Sequence, residues 1–183
     1  TKVALVTNNY EIICEDNVFY GNIEPNSKPS YIYEHITKYI DNLSKEIFGN
    51  IKGIAVACPG ITKENQIIGA VNLGGTSDIL IKIQEKYNIP LYSTNDAVAA
   101  SFAQFKKGSI INTNNAIYFG LGTGVGFSVI LNKEILLPNG LPVDLSHTSY
   151  LKNNIKCSCG KDDCIEKYIS IKALRTKLND RIN

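Results

Sequence analysis

The stretch that most constrains this chain runs from residue 147 to residue 166 and reads HTSYLKNNIKCSCGKDDCIE. It holds one histidine and three cysteines, namely His147, Cys157, Cys159 and Cys164. One imidazole nitrogen and three thiolates form a complete donor set for a tetrahedral zinc site, with no ligand position left for water. The glycine after Cys159 allows the tight turn that brings two sulfurs towards one point. The sequence therefore predicts a structural zinc ion.

The same residues allow two other interpretations. Three close cysteines could form one disulfide with a thiol left over, and His147 could be an ordinary loop histidine. The other cysteines, Cys14 and Cys58, lie in apolar runs, and the first residues do not read as a signal peptide. These features favour a reduced, cytoplasmic chain, in which disulfides are rare. We therefore expect zinc rather than a disulfide.

Composition excludes several kinds of partner. Of the 183 residues, 44% are hydrophobic and 20% are charged, which is typical of a globular protein. The formal charge of +2 forms no basic stripe, and no apolar run approaches the roughly 20 residues that a membrane span needs. We expect neither a membrane partner nor a nucleic-acid partner for this segment. The chain contains no methionine and starts inside a strand-like run, which predicts a fragment or a processed product.

The first half of the chain alternates between strand-like and helix-like patterns, as α/β proteins do. Apolar residues recur at about the helical period over residues 32–47, which predicts one amphipathic helix that ends at Gly49. Short apolar runs bounded by turn residues predict strands. The expected elements are a hairpin of residues 2–7 and 11–20 around Asn8 and Asn9, strands at residues 51–58 and 91–93, and a helix at residues 77–87.

A carboxylate stands at the junction of a strand and a helix. The strand at residues 91–93 gives way at Asn95 and Asp96 to an alanine-rich helix, AVAASFAQF. The carboxyl end of a strand and the amino end of a helix border the crevice in which open α/β sheets bind ligands. An N-cap role alone would also explain Asp96. Asp96 is thus a candidate for ligand chemistry.

A second candidate site is the run Gly120-Leu121-Gly122-Thr123-Gly124-Val125-Gly126. Alternate glycines cannot pack a core, and they would let backbone N–H groups and the Thr123 hydroxyl approach phosphate oxygens. The run lies between two strand-like segments and lacks the lysine of the P-loop, which argues against a Rossmann helix. We expect a hairpin that holds phosphate, although a glycine-rich turn without a ligand fits the same residues.

The remaining patterns suggest two lobes. The polar segment at residues 106–115 reads as a hinge, so we expect an N-terminal α/β lobe at residues 1–108 and the start of a C-terminal lobe at residues 109–183. Residues 166–183 are helix-like, with Ile169, Leu174 and Leu178 as expected buried positions.

Several of these motifs occur together in one order: Asn95-Asp96, the loop GLGTGVG, a carboxylate three residues before His147, the CxCGxxxC run, and Glu166. Together they resemble the ROK family (repressors, open reading frames and sugar kinases). The resemblance implies an actin-like, ribonuclease H-like ATPase fold with two lobes, of which the second is incomplete here. It also implies transfer of the γ-phosphoryl group of ATP to the 6-hydroxyl of a hexose or N-acetylhexosamine, with Mg²⁺, and a homodimer for the full-length protein.

The resemblance also implies roles for single residues. Asp96 matches the family's general base. Its sugar-binding partners would be Asn95, Asp144, His147 and Glu166, with Asn72 as a further substrate-binding candidate, while Gly122, Thr123 and Gly124 match the second phosphate loop. The first phosphate loop, Asp-x-Gly-Gly-Thr, keeps only its threonine, as Thr1, and the usual Glu-x-Gly-His reads Asp-Leu-Ser-His.

The sequence is compatible with three functions. The first is a sugar kinase, and the alternative is the sugar-sensing domain of a ROK-type repressor. A zinc-stabilised binding module that has lost both roles is a third possibility, against which the retained Asp96 and glycine run argue.

Overall fold

A computed structural model of the protein describes residues 1–19, 22–70 and 73–182, with side chains through residue 179. The chain divides into two compact units, Thr1–Thr94 and Asn95–Asn183. This division falls before the helix that starts at Asp96, whereas the sequence places the lobe boundary after that helix, at residue 108. The assignment of residues 1–108 and 109–183 to two lobes stays a prediction.

The first unit opens with the antiparallel hairpin that the sequence predicts. Its strands are β1 (Lys2–Val6) and β2 (Ile12–Asn17). The positive φ of the turn belongs to Tyr10, at 66°, and not to the expected Asn8 or Asn9. The hydroxyl of Thr7 accepts the backbone N–H groups of Asn9 and Glu11, at 3.3 and 3.1 Å. These two bonds fix the turn on both sides of Tyr10. The predicted end of the second strand at residue 20 lies outside the described residues.

The single helix predicted to end at Gly49 is two helices, α1 (Lys28–Asp41) and α2 (Lys45–Gly49). Ser44 separates them, because its backbone is extended (ψ 153°) and its hydroxyl accepts the N–H of Ile47 at 3.3 Å. A serine that satisfies a free amide in this way stabilises the start of a new helix. The helical spacing of apolar residues therefore continues across a break.

The described residues of the first unit contain five more strands: β3 (Ile54–Cys58), β4 (Ile61–Lys63), β5 (Gln66–Ala70), β6 (Gly75–Ser77) and β7 (Leu91–Asn95), the last of which ends at the first residue of the second unit. Strands β3 and β7 correspond to the two predicted apolar strands, and they pair with each other. Strands β4, β5 and β6 form an antiparallel sheet that the sequence analysis did not predict. These strands are three to five residues long and carry polar residues, so they lack the apolar run that marks a strand.

The core of the first unit lies between its helices and the sheet of β5. Helix α3 (Ile79–Tyr87) contributes Leu80 and Ile83, which are 1% and 0% exposed. They pack with Ile67 of β5, with Ile32 of α1 and with the buried thiol of Cys58. Helix α3 ends at Asn88, which takes the left-handed conformation (φ 50°) that asparagine tolerates at a helix end.

The second unit contains the elements that carry most of the candidate site. They are α4 (Asp96–Lys107), β8 (Ala116–Leu121), β9 (Val125–Leu131), β10 (Glu134–Ile135), α5 (Glu166–Ile169) and α6 (Ile171–Ile182). The three strands form an antiparallel sheet in the order β10-β9-β8, with the pair Leu121 and Val125 closing the β8–β9 hairpin. Helix α4 packs on this sheet, where the buried hydroxyls of Ser101 and Ser128 lie 2.8 Å apart. The strand–glycine turn–strand hairpin predicted from the sequence is confirmed.

The expectation of one buried helix at the end of the chain is wrong in two respects. Ser170 has an extended backbone and divides the segment into α5 and α6, and its hydroxyl accepts the N–H of Ala173 at 3.1 Å. Ile169, Leu174 and Leu178 are 36%, 52% and 57% exposed. Helix α6 packs beside α5, which has four residues and is too short to cover its apolar side. Among the helices of the described residues, none has the length and apolar character needed to cross a membrane.

Candidate functional site

The four predicted zinc ligands come together in the second unit. The donor atoms of His147, Cys157, Cys159 and Cys164 all lie within 4.8 Å of one another. The Sγ of Cys157 is 3.6 Å from Nδ1 of His147, and the two sulfurs of Cys159 and Cys164 are 3.5 Å apart. A tetrahedron with Zn–S bonds of about 2.3 Å places its sulfurs roughly 3.8 Å apart, whereas a disulfide needs about 2.05 Å. The donor set and its spacing therefore fit zinc.

A tight turn positions two of the sulfurs. The N–H of Gly160 donates to the carbonyl of Cys157 at 3.1 Å, and the N–H of Cys157 donates to the carbonyl of Lys161 at 2.9 Å. Gly160 has a φ of 89°, which a side chain would strain. The glycine singled out in the sequence is thus required by the turn that holds Cys157 and Cys159.

Two of the thiols differ in their readiness to ionise. A hydrogen bond from the backbone of Lys161 lowers the pKa of the Cys159 thiol. Burial raises the pKa of the Cys164 thiol to about 12. A metal ion binds thiolates and releases their protons, so metal affinity at this site falls as the pH is lowered. With four protein ligands the metal would have a structural role, and it would shape the segment between residues 144 and 166.

Asp163 organises the metal-ligand segment, and the sequence analysis did not single it out. Its side chain is 4% exposed and accepts the backbone N–H groups of three successive residues, Asn153, Asn154 and Ile155, at 2.9, 2.9 and 3.0 Å. The residue itself has a φ of 58°, a conformation that aspartate adopts more readily than most residues. The signal in the sequence was the pair Asp162-Asp163 directly before a ligand cysteine, which reads as a charged turn unless the fold is known.

Glu166 lies against the turn between β8 and β9, which we call the glycine loop (residues 122–124). Its Oε2 accepts the N–H of Val125 at 3.2 Å. A Cβ added to Gly124 would lie 2.5 Å from the same oxygen, whereas a Cβ on Gly122 would have its nearest neighbour at 3.9 Å. An alanine at position 124 would therefore displace the flexible end of the Glu166 side chain. Thr123 is exposed at the tip of the loop.

Asp144 is engaged by its neighbour. Its Oδ1 accepts the N–H of Ser146 at 2.8 Å and also accepts the Ser146 hydroxyl. Ser146 is 4% exposed, while Asp144 is exposed. Ser146 stands where the usual Glu-x-Gly-His pattern has glycine. Its hydroxyl and N–H donate to Asp144, the carboxylate of the same pattern.

Asn95 and Asp96 begin helix α4. Asn95 is its N-cap, since its Oδ1 accepts the N–H groups of Ala97 and Val98 at 2.9 and 3.3 Å. Asp96 is exposed in the first turn, with one oxygen 2.9 Å from the N–H of Ala97. Asn95, and not Asp96, is therefore the N-cap of helix α4, so an N-cap role does not explain Asp96.

Two predicted residues belong to the first unit or lie outside the description. Thr1 is joined to Val18 by two backbone hydrogen bonds of 2.9 and 2.8 Å at the open end of the β1–β2 hairpin. Asn72 lies outside the described residues.

Comparison with known proteins gives relatives of two kinds. The xylose repressor of Bacillus spizizenii is 31% identical over 173 residues, which is 93% of this chain and 45% of the repressor. The glucokinase of Halalkalibacterium halodurans is 30% identical over 145 residues, which is 73% of this chain and 44% of the kinase. The chain thus spans less than half the length of either protein.

The fold is shared with a solved kinase structure. A ROK family glucokinase from Streptomyces griseus, in complex with glucose and AMPPNP, superposes with a TM-score of 0.82 at 22% identity, over 100% of this chain and 58% of that one. This match confirms the predicted α/β, actin-like fold. The ROK family model matches residues 1–183, and the chain therefore belongs to the ROK family.

Proposed function

We propose that this chain is part of an ATP-dependent sugar kinase, which transfers the γ-phosphoryl group to the 6-hydroxyl of a hexose or N-acetylhexosamine. The observation that carries the proposal is the arrangement around the β8–β9 hairpin. The glycine loop is the turn of this hairpin in the second unit. The first turn of helix α4, which starts at Asp96, and the side chain of Glu166 both contact the same hairpin.

The contact between α4 and the hairpin supports a shared site. A Cβ on Gly126 would lie 2.9 Å from the Cβ of Ala97, so only a glycine at this position admits the first turn of α4 so close to β9. Asp96 directly precedes Ala97, and Gly126 follows the glycine loop by two residues. The candidate base, Asp96, and the glycine loop are therefore each within two residues of the contact between Ala97 and Gly126.

The chemistry of phosphoryl transfer suits these parts. The reaction needs a carboxylate that orients and deprotonates the attacking hydroxyl, together with donors around the phosphates, and little covalent help. Asp96 is exposed, so a sugar hydroxyl has access to it. Gly122, Thr123 and Gly124 would supply donors to the phosphates, and a bound Mg²⁺ would neutralise part of the phosphate charge. Thr1 is the proposed remnant of a first phosphate loop.

The sugar would be held by polar side chains. Asn95, Asp144, His147 and Glu166 of the second unit are the proposed contacts, and Asn72, which lies outside the described residues, is a further candidate. A zinc ion on His147 and the three cysteines would fix the segment that carries three of these residues. Because Ser146 already engages one oxygen of Asp144, we expect this residue to contribute less than a glutamate in the usual pattern.

The second candidate is the sugar-sensing domain of a ROK-type repressor. The observation that favours it is the match to the xylose repressor, which covers 93% of this chain, against 73% for the glucokinase. In this role the proposed sugar contacts would bind a sugar without reaction, and the Asp144–Ser146 contact would not impair the function.

A sugar panel separates the two candidates. Titration calorimetry with glucose, mannose, N-acetylmannosamine and xylose measures binding, and a coupled ADP-release assay with Mg²⁺ and ATP measures turnover. Xylose has no 6-hydroxyl and is not an acceptor for the proposed transfer. In the full-length protein, sugar-dependent ADP release with a hexose supports the kinase, and binding without turnover supports the sensor. If the protein binds none of these sugars, both proposals fail.

A further inference from the structure

We propose that Glu166 is a positioning residue that couples the metal-ligand segment to the glycine loop, so that a zinc ion bound by His147 and the three cysteines also orders residues 122–125. The importance of this coupling for phosphate binding rests on the proposed function. The coupling itself rests on contacts within the second unit.

The first link is made by the Glu166 side chain. Its Oε2 accepts the Val125 N–H at 3.2 Å, which anchors the residue that follows the glycine loop. A carboxylate has two oxygens and about four lone pairs, so one oxygen can hold the amide while the group keeps further acceptor capacity. The carboxylate lies close to Gly124, because a Cβ at this position would be 2.5 Å from Oε2 of Glu166 and would displace it.

The second link is made by the backbone on both sides of the metal ligands. The N–H of Glu166 donates to the carbonyl of Ser146, and the N–H of Ile165 donates to the carbonyl of Thr148, both at 3.0 Å. His147 lies between those two carbonyls, and Cys164 lies directly before Ile165. A metal ion that joins His147 to Cys164 would therefore hold two backbone segments together, residues 146–148 and residues 164–166. Glu166 belongs to the second of these segments.

A third link holds the other end of the glycine loop. The N–H of Ile171, at the start of α6, donates to the carbonyl of Gly122 at 2.9 Å. The loop is thus attached at Gly122 and at Val125 to the segment of residues 166–171, which begins two residues after Cys164, the last metal ligand. Glycines have more backbone freedom to lose than other residues, so such a loop depends on outside contacts for its order.

Amide hydrogen exchange tests the coupling without any sugar or nucleotide. The exchange rate of the Val125 N–H would be measured by NMR in the zinc-loaded protein and after removal of zinc with a chelator. We expect removal of zinc to speed exchange at Val125 about tenfold, as for the loss of a hydrogen bond to a charged group. In Glu166→Ala, exchange should already be fast with zinc bound and should change little when zinc is removed.

A matched pair of glycine variants tests the same contact from the loop side. Gly124→Ala places a methyl group against the Glu166 carboxylate and should speed Val125 exchange with zinc bound. Gly122→Ala meets no atom closer than 3.9 Å and should leave Val125 exchange at the wild-type rate. This pair keeps the test decisive if Glu166→Ala fails to fold.

The coupling is wrong if chelation changes exchange in residues 144–166 of the wild type but leaves Val125 unaffected. It is also wrong if the two glycine variants behave alike. Because neither sugar nor ATP is present, a protein that shows the coupling and yet binds no sugar would remove the proposed function and leave this inference in place.

Discussion

The phenol of Tyr168 donates a hydrogen bond of 2.6 Å to Oδ1 of Asp163, and so joins α5 to the segment that holds the metal ligands. This bond, followed by those from the backbone N–H groups, lowers the pKa of the Asp163 carboxyl. The carboxylate is therefore the form that the segment requires. We predict that Asp163→Asn weakens zinc binding, because the carboxylate holds the segment that carries the metal ligands. Residues that support metal ligands typically contribute about 10- to 100-fold to metal affinity.

The neighbouring aspartate provides the control for this prediction. Asp162 forms an ion pair with Lys156 at 2.8 Å, in which the lysine side chain is 83% exposed. Exposed pairs of this kind contribute little, so Asp162→Asn should keep nearly the wild-type zinc affinity. Competition with a chromophoric chelator measures both variants. Equal affinities for the two variants would refute a special role for Asp163.

The zinc site itself predicts a stoichiometry. We expect one zinc ion per chain in the reduced protein, by elemental analysis. Cys164→Ser should lower this to well below one, because a serine hydroxyl is a poor replacement for a buried thiolate ligand. Cys14→Ser is the control, since Cys14 lies on β2 in the other unit. A folded wild-type protein without zinc would refute the site.

The proposed sugar contact of Glu166 predicts a change in affinity. Glu166→Ala should weaken hexose binding about tenfold to a hundredfold, which corresponds to roughly 1.5–3 kcal/mol for a hydrogen bond to a charged group. Glu134→Ala, at an exposed position on β10, serves as the control and should bind hexose normally. Titration calorimetry decides the outcome, and a Glu166→Ala protein with unchanged affinity would exclude the contact.

The proposed base predicts a loss of turnover without a loss of shape. Asp96→Asn keeps the size and hydrogen-bonding geometry of the side chain but removes the proton acceptor. If the full-length protein is a kinase, its hexose-dependent ADP release should fall by about 10²- to 10⁴-fold in this variant, while sugar affinity stays close to wild type. Asp78→Asn is the matched control, because Asp78 also stands at a helix start, that of α3. Equal rates for Asp96→Asn and wild type would remove Asp96 from the mechanism.

An ion-pair cluster in the first unit predicts how stability depends on pH. Asp41 accepts hydrogen bonds from Lys86 at 2.7 Å and from the phenol of Tyr87 at 2.9 Å, and these two bonds, in that order, lower the pKa of its carboxyl. A carboxyl with a lowered native pKa stabilises the fold above its unfolded pKa of about 3.9. That contribution is lost as the pH falls through the native pKa.

We therefore expect Asp41→Asn to lower the Tm at pH 7, and the difference from wild type to shrink as the pH is brought below about 4. Asp78→Asn again serves as a control, because its pair with Lys82 is more than half exposed on both sides. Thermal melts followed by circular dichroism give the answer. A Tm difference that is constant between pH 7 and pH 3 would contradict the assignment.

Local chemistry explains which features the sequence predicts well. The identities and spacing of His147, Cys157, Cys159 and Cys164 indicate a metal site because zinc accepts few donor sets, and the structure brings these donors together. The β8–β9 hairpin follows in the same way from a glycine run between two apolar segments. In both cases the residues that decide the structure are close in sequence.

Long-range contacts decided what the sequence could not predict. The hydrogen bond from the Val125 N–H to Glu166 and the one from the Asn153 N–H to Asp163 depend on where the fold places polar atoms in space. The exposure of Leu178 depends on which element covers helix α6, and periodicity does not identify that element. The sequence by itself therefore determined the donor set and the order of the candidate motifs. Only the tertiary structure decided which carboxylates already accept hydrogen bonds from other parts of the chain, because hydrogen bonds between distant residues leave no periodic pattern in the sequence.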